Sequence, residues 1–368
     1  VKTSFCRMMC LAFLTLAVSA ASALAAPPDS SAEIENLKQR IEALETGMAG
    51  KPPEEQPFTL FAAGKHLSFS GLLKVEANYS EIDGEDASSD LNLTTFEFST
   101  EVAINDHIGG HVILLYEEDP ADDSLKVDEV VISLRCPQSL FGQSPTFHGG
   151  KMYLPFGKFN SSMLTDPLTL DLGETNDTAA LFALEGDLWT FSLGVFNGGT
   201  DANKDKDHID SLVAAIEVTP RENLSFGFSY ISDLAESDNV LVADATLYSD
   251  SVPGASAFLS ATVGAFGFEA EILAALDDFD TALIGASDLT GKKPLAWSLE
   301  ASWHASEDLQ LTARYEQSSD FQDDVTRYGA ATSYGLFSNT VLALEYLHAA
   351  PDTDPDSDTV TVQLAFEY

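Results

Sequence analysis

Three cysteines are spread over 368 residues, and two of them, Cys6 and Cys10, fall in the first ten positions. A chain that loses that segment keeps only Cys136, and one thiol cannot close an intramolecular disulfide. The fold is therefore expected to hold without covalent staples. Basic residues are also scarce: 18 Lys and Arg stand against 59 Asp and Glu, for a formal charge of −41. That balance excludes nucleic acid, whose binding depends on neutralising phosphates with Lys and Arg. Disorder is the other destination of such acidity, but 45% hydrophobic residues, with 23 Phe, supply ample surface for packing. Long apolar runs are missing too. Beyond residue 26 none approaches the roughly 18 residues that mark a transmembrane helix. If this chain enters a membrane, it must do so as a closed β-barrel. Finally, the histidines His66, His107, His111, His148, His208, His304 and His348 form no helix-spaced metal pair and no nucleophile motif. An enzyme is not expected.

What is present begins with a secretory pattern. Lys2 and Arg7 give a positive start, Leu11 to Val18 a short apolar run, and Ala23-Leu24-Ala25 a cleavage site, so residues 1–25 read as a signal peptide. No cysteine stands at the cleavage point, which argues against a lipoprotein anchor. In residues 26–50, Ile34, Leu37, Ile41, Leu44 and Met48 recur at alternating spacings of three and four, a heptad seam among Glu and Lys. Two heptads are too short to stand alone. The segment is expected either as a periplasmic coiled coil supported by a larger assembly, such as a homotrimer, or as an amphipathic helix resting on the barrel. Residues 51–66, with Pro52, Pro53 and Pro57, form a linker.

From Leu67 to the end at Tyr368 the period changes to two. Leu67, Phe69, Gly71, Leu73, Val75, Ala77 and Tyr79 alternate with Ser68, Ser70, Leu72, Lys74, Glu76 and Asn78. The alternation returns in Trp189–Val195, Leu224–Tyr230, Trp297–His304 and Leu309–Glu316. Strands of about ten residues, apolar on one face and polar on the other, are the pattern of an outer-membrane barrel. Connections alternate as well. Short ones such as 105–107, 186–187, 220–223, 306–308 and 338–339 are interleaved with long acidic ones near 81–89, 118–124, 158–177, 198–208, 233–255, 277–294, 319–324 and 349–357. Eight long loops predict an all-β transmembrane antiparallel barrel of about 16 strands over 67–368, with both ends in the periplasm. Val240–Tyr248 is a candidate extra strand, but an odd count would part the two ends. The last residues alternate Val360, Val362, Leu364, Phe366 and Tyr368 with Thr361, Gln363, Ala365 and Glu367, and stop on an aromatic. Such an ending is what the outer-membrane insertion machinery reads. The expected location is the outer membrane of a Gram-negative bacterium, among its lipid and lipopolysaccharide.

One stretch is more specific. Gly149-Gly150-Lys151-Met152-Tyr153-Leu154-Pro155-Phe156-Gly157 is followed by Leu164-Thr165-Asp166-Pro167-Leu168-Thr169-Leu170 and Leu172-Gly173-Glu174-Thr175. This resembles the LbtU-type siderophore porins, barrels implicated in uptake of ferric siderophores. The motif covers about 30 residues, and Tyr-Leu-Pro-Phe-Gly is shared with other porin groups. The resemblance implies a porin for small solutes, with ferric siderophores as the family's substrate. The alternative is a structural or adhesin-like barrel that anchors the envelope without specific transport.

The residues themselves suggest where such a pore would narrow. Lys151 to Gly157 reads as a strand ended by Pro155, which cannot donate to a ladder. The loop that follows carries Asp166, Asp171, Glu174 and Asp177 beside Leu164, Leu168, Leu170 and Leu172. A half-apolar loop has to pack somewhere: inside the pore, or between subunits and against the outer rim. If inside, Lys151, Asp166, Asp171 and Glu174 form the constriction. By parity Lys74, Glu76, Glu97, Glu101, Glu269, Glu271, Glu300, Arg314, Glu316 and Glu367 face the lumen, with Arg135 and Arg327 as further bases. On that count the lumen is acidic and favours cations or neutral solutes. Asp352, Asp354, Asp356 and Asp358 alternate in the last outer loop, and oxygen ligands at spacing two suit Ca²⁺. A solvated acidic surface bridged to lipopolysaccharide by divalent ions is the other reading. No other cofactor is expected.

Overall fold

A computed structural model describes residues 67–368 except 119–123, 201–208, 239–240, 243–247, 249, 280–282, 285–286 and 289–290. The signal peptide, coiled coil and linker expected before Leu67 lie outside the described residues, so neither reading of the heptad segment is tested.

Sixteen strands close into one antiparallel barrel. In chain order they begin β1 (Leu67–Ile82), β2 (Ser88–Asn105), β3 (Ile108–Tyr116), β4 (Lys126–Arg135), β5 (Thr146–Tyr153), β6 (Asn176–Glu185), β7 (Trp189–Phe196) and β8 (Ser211–Arg221). Then follow β9 (Leu224–Ile231), β10 (Gly254–Val263), β11 (Phe266–Ala275), β14 (Leu295–His304), β15 (Leu309–Ser319), β16 (Thr326–Phe337), β17 (Thr340–Ala350) and β18 (Ser357–Glu367). The pair β12 (Leu283–Ile284) and β13 (Ser287–Asp288) bonds only to itself, in the loop after β11. The short connections expected at 105–107, 186–187, 220–223, 306–308 and 338–339 lie on one rim, but residues 136–145 between β4 and β5 make a long connection on that same rim. Val240–Tyr248 adds no strand among its described residues. Leu241, Val242 and Tyr248 are instead buried in the connection between β9 and β10.

Closure falls on β1 and β18, which run in register from Leu72↔Glu367 to Ile82↔Ser357. The last residue extends this seam: Gly71 N–H donates to the Tyr368 carbonyl at 3.0 Å, and Tyr368 N–H donates to the Gly71 carbonyl at 3.1 Å. A side chain at Gly71 would run into the Tyr368 ring, so glycine is what lets the terminal aromatic lie across the seam.

The outer face is a belt of exposed apolar residues, among them Phe228, Leu259, Leu299, Leu344 and Leu364. Aromatics gather at both of its edges. Phe69–Phe98, Phe266–Trp303 and Phe366–Tyr368 stack toward the short-turn rim, and Trp297–Tyr315 and Tyr328–His348 pack toward the long-loop rim. An apolar band between two aromatic girdles is how a barrel meets a bilayer.

A second apolar region lies inside. Phe156, Leu168 and Leu172 from the connection after β5 pack with Leu234, Leu241 and Tyr248 from the connection after β9. Inward residues of the strand ends complete this core: Met152, Phe196, Val213, Ile231 and Leu273. Two long loops thus fold back into the barrel and share one core with its wall. Cys136 belongs to a separate small cluster with Phe147, Phe182 and Leu184.

Candidate pore constriction

The connection of 154–175 turns inward at Gly157. Its φ of +83° is left-handed, a conformation open to glycine without strain. Gly157 N–H donates to Ser229 Oγ of β9 at 2.9 Å, which starts the loop along the inner wall. From there the loop is held by glutamates of four strands. Glu271 of β11 accepts from the backbone N–H of Lys158 at 2.7 Å and of Phe159 at 2.8 Å. Glu300 of β14 accepts from Ser161 Oγ and Ser162 N–H, both at 2.7 Å. Glu345 of β17 accepts from the N–H groups of Leu164 and Thr165 and from the Thr165 hydroxyl. Glu316 of β15 accepts from Leu168 N–H at 2.9 Å, at the start of α1 (Leu168–Gly173).

Arginines bind the same loop. Arg314 donates to Ser161 Oγ at 3.0 Å, to the Thr165 carbonyl at 2.8 Å and to the Asp166 carbonyl at 3.2 Å, and lies 3.3 Å from Glu316. Arg327 pairs with Asp171 at 3.3 Å, and Gln322 donates to the same carboxylate at 3.1 Å. A loop without ladder partners must otherwise leave its N–H groups bare inside the barrel, and charged acceptors are the strongest remedy. The apolar side of α1 meanwhile sits in the inner core, with Leu168 and Leu172 fully buried.

The loop therefore lies inside the barrel, against β9 to β17. The space it leaves is bounded by β1 to β4 and β18, where Lys74, Glu76 and Glu97 face inward. Glu76 accepts from Gln363 at 2.6 Å. Asp166 stands between the two sides. Burial raises its carboxyl above the ordinary range, Asp171 raises it further, Lys74 and Arg314 lower it, and Glu76 raises it. Glu174 lies higher, at the long-loop mouth. Burial, then Asp238, Asp166, Asp128 and Glu117, push it up to about 7.

Each expected residue can now be placed. Asp166 lies on the docked loop within the electrostatic reach of Lys74 and Glu76 of β1 and Arg314 of β15. Asp171 is turned to Arg327 and the docked wall, and Glu174 belongs to the mouth. Lys151 is a correction. It pairs in register with Val130, a residue of the exposed apolar outer face, and donates to the Val127 carbonyl at 3.0 Å. It points away from the pore, and the base opposite Asp166 is Lys74. Glu269, Glu271, Glu300, Arg314 and Glu316 do face inward, but four of these five hold the loop. Only Glu269, bound by Ser260 Oγ at 2.7 Å and Asn160 at 3.3 Å, stands apart from the backbone docking. Sequence reasoning missed Glu345, although the parity of Ala343, Glu345 and Leu347 against Leu344 and Tyr346 carried the signal.

The four aspartates of the last outer loop do not converge. Asp358 is engaged by Tyr346 OH at 2.6 Å and His348 at 2.9 Å, while Thr353 and Asp354 N–H groups bind Asp323. Among the described residues no three His, Cys, Asp or Glu side chains are placed to hold a metal ion.

No family model matches the chain. Over 306 residues it is 25% identical to a UPF0422 protein of Coxiella burnetii (strain RSA 493 / Nine Mile phase I), covering 76% of this chain and 63% of that one. Over 137 residues it is 24% identical to UPF0422 protein lpg2959 of Legionella pneumophila (strain Philadelphia 1), covering 36% of this chain and 26% of that one. The chain thus spans less than two thirds of the length of these relatives. Among solved structures, Salmonella typhi OmpF in complex with daunomycin superposes with a TM-score of 0.59 at 10% identity, over 82% of this chain and 97% of that one. Pseudomonas putida OprB gives a TM-score of 0.59 at 8% identity, over 83% and 95%. The loop L8 deletion mutant of OmpT, an outer membrane protein of Vibrio cholerae, gives 0.54 at 13%, over 82% and 99%. What is shared with these chains is the fold, that of outer-membrane porins.

Proposed function

We propose that this protein is a passive diffusion channel of a Gram-negative outer membrane, narrowed by an internal loop and favouring cations and neutral solutes over anions. The observation that carries the reading is the docking of 154–175 inside the barrel by Glu271, Glu300, Glu316 and Glu345. A purely structural barrel has no use for a loop held along the inside of its wall by four wall carboxylates. Docking also changes the account of selectivity. The anchoring glutamates are turned to the loop's N–H donors, and the charged groups on the side the loop leaves open include Asp166, Lys74, Glu76 and Glu97. Fixed charge acts most strongly at a constriction, where screening is weakest.

Ferric siderophores are the finer version of this proposal, supported by the resemblance of 149–175 to LbtU-type porins. No enzymatic role is proposed. A homotrimer is proposed as the assembly, since a solved neighbour, Vibrio cholerae OmpT, is described in a trimer form. The structural reading keeps one observation in its favour: the two inner loops share one apolar core with the inside of the wall. Planar-bilayer recording decides between them. Discrete conductance steps with a reversal potential favouring K⁺ over Cl⁻ are expected, and a ferric siderophore that enters should block them transiently. An inserted, folded barrel with no conductance would leave the structural role. Block by none of a panel of ferric siderophores would remove that substrate class.

A further inference from the structure

The connection between β15 and β16 holds its backbone in a conformation that its residues do not favour. Asp320, Gln322, Asp323 and Asp324 have φ of +54°, +48°, +59° and +52°, left-handed values at four positions without a glycine. An L side chain crowds its own backbone there, and such a turn persists only where its surroundings over-determine it. Three sets of contacts do so. Phe321 and Val325 are buried in the inner core that also holds Leu168 and Leu172. Ser318 Oγ donates to the Phe321 carbonyl at 2.6 Å and accepts from Val325 N–H at 3.0 Å, which closes the base of the turn. Asp323 is tied to the last outer loop. Its carboxylate accepts from Thr353 N–H and Thr353 Oγ1, both at 2.8 Å, and from Asp354 N–H at 2.9 Å, and its carbonyl accepts from Asp352 N–H at 2.8 Å. Gln322, the next residue back, reaches the docked pore loop instead. Its Nε2 donates to Asp171 Oδ2 at 3.1 Å, and its Oε1 accepts from Arg327 Nη2 at 2.8 Å. Arg327 also reaches Asp171 at 3.3 Å, so the amide closes a triangle of contacts on the pore loop.

We propose that this turn is a strut coupling the last outer loop to the pore loop, with Gln322 positioning the Arg327–Asp171 pair and Asp323 holding Gln322 in place. The inference rests on the channel reading above and deepens it by naming what regulates docking. Adjacent residues of one left-handed turn do the two jobs, so the two contacts stand or fall together. Release of Thr353 and Asp354 from Asp323 leaves the unfavoured backbone without its outer tie. The turn then relaxes, and Gln322 leaves Asp171 and Arg327. The pore loop keeps its four glutamates but loses this brace, and it undocks more often. A contact on the cell surface that draws 351–356 away from the turn acts by the same route, through its preference for the released arrangement. Coupling of two sites needs an element that both of them bias, and this turn is bonded to both loops.

Single-channel recording reads the coupling as the frequency of brief openings, and heat-modifiable migration checks that each variant folds. Gln322→Ala removes both amide contacts and should raise that frequency about tenfold, the effect of losing a hydrogen bond to a charged group. Asp323→Ala removes contacts to the last outer loop, not to the pore loop, yet should raise it about as much. The double variant Q322A/D323A should be no noisier than either alone, because both cut one path. Asp323→Asn should stay quiet: its oxygen can accept from the two N–H groups, its NH₂ can donate to Thr353 Oγ1, and Asn tolerates a left-handed φ. A quiet Asp323→Ala would overturn the inference, as would a double variant whose effects multiply. Asp323→Asn as noisy as Asp323→Ala would assign the effect to lost charge and overturn it too. If every Gln322 and Asp323 variant is quiet while E271Q/E300Q/E316Q/E345Q raises the conductance, the strut falls and the channel reading stands. A wild-type barrel without any conductance takes down that reading, and this one with it.

Discussion

Replacing the docking glutamates by glutamine should loosen the loop without removing volume from the wall. At Glu271 the carboxylate accepts from Lys158 N–H and Phe159 N–H, and also from Ser256 Oγ at 2.9 Å and Thr169 Oγ1 at 3.3 Å. Gln keeps one acceptor oxygen but turns an NH₂ donor against donors. A hydrogen bond to a charged group contributes about 1.5–3 kcal/mol, so Glu271→Gln should cost about 2 kcal/mol of docking. That raises the undocked fraction about 30-fold, since 1.4 kcal/mol is tenfold. With Glu300, Glu316, Glu345 and the apolar contacts intact, one replacement should show as brief openings and added current noise. The quadruple variant E271Q/E300Q/E316Q/E345Q should show a higher main conductance, because the narrowest section dominates resistance. Single-channel recording reads both, with heat-modifiable migration as the check on folding. If the quadruple variant inserts with unchanged conductance and noise, the glutamates do not hold a constriction.

Asp166→Asn should lower the K⁺/Cl⁻ permeability ratio and Lys74→Glu should raise it, whereas Lys151→Glu should leave it unchanged because that side chain is on the outer face; reversal potentials read all three. Glu174 gives a pH dependence with a definite sign. Its pKa is raised to about 7 from an ordinary 4.5. The folded chain therefore binds this proton more tightly, and docking is penalised progressively as pH rises from about 4.5 to 7 and fully above it. Current noise should be lower with the long-loop side at pH 5.5 than at 8, and Glu174→Gln should abolish the difference. Gly71→Val or deletion of Tyr368 should reduce assembly into the membrane, because an unclosed seam exposes pairing edges that aggregate; fractionation followed by heat-modifiability on gels measures it. Leu172→Ala should weaken loop packing by about 2–5 kcal/mol, the range for emptying a filled core position, and increase the same noise.

Much of this architecture is written in local pattern. Alternation has a period of two because successive side chains of a strand point to opposite faces, so the lipid face of Val360, Val362, Leu364 and Phe366 is legible without a partner strand. Eight long loops and an aromatic end gave the strand number, because both ends of an even barrel share a rim. The half-apolar composition of 164–172 likewise announced a loop that had to be buried, though not where.

Distance along the chain hid the rest. Glu271 meets Phe159, and Glu345 meets Thr165, only because closure of β1 on β18 carries strands more than 100 residues away to face the end of β5. Nothing local to either glutamate says that its acceptor will be a loop N–H instead of water. Lys151 shows the same limit at one residue. Its face depends on register with Val130 across a strand broken by Gly149 and Gly150, and a slip of one position would have turned it into the pore. The sequence by itself determined the strands, their lipid face and the strand number, since those follow from the backbone's own period. Which charges meet a solute, and which are spent on holding the loop, was decided only by closure of the barrel, which brings together groups the chain keeps apart.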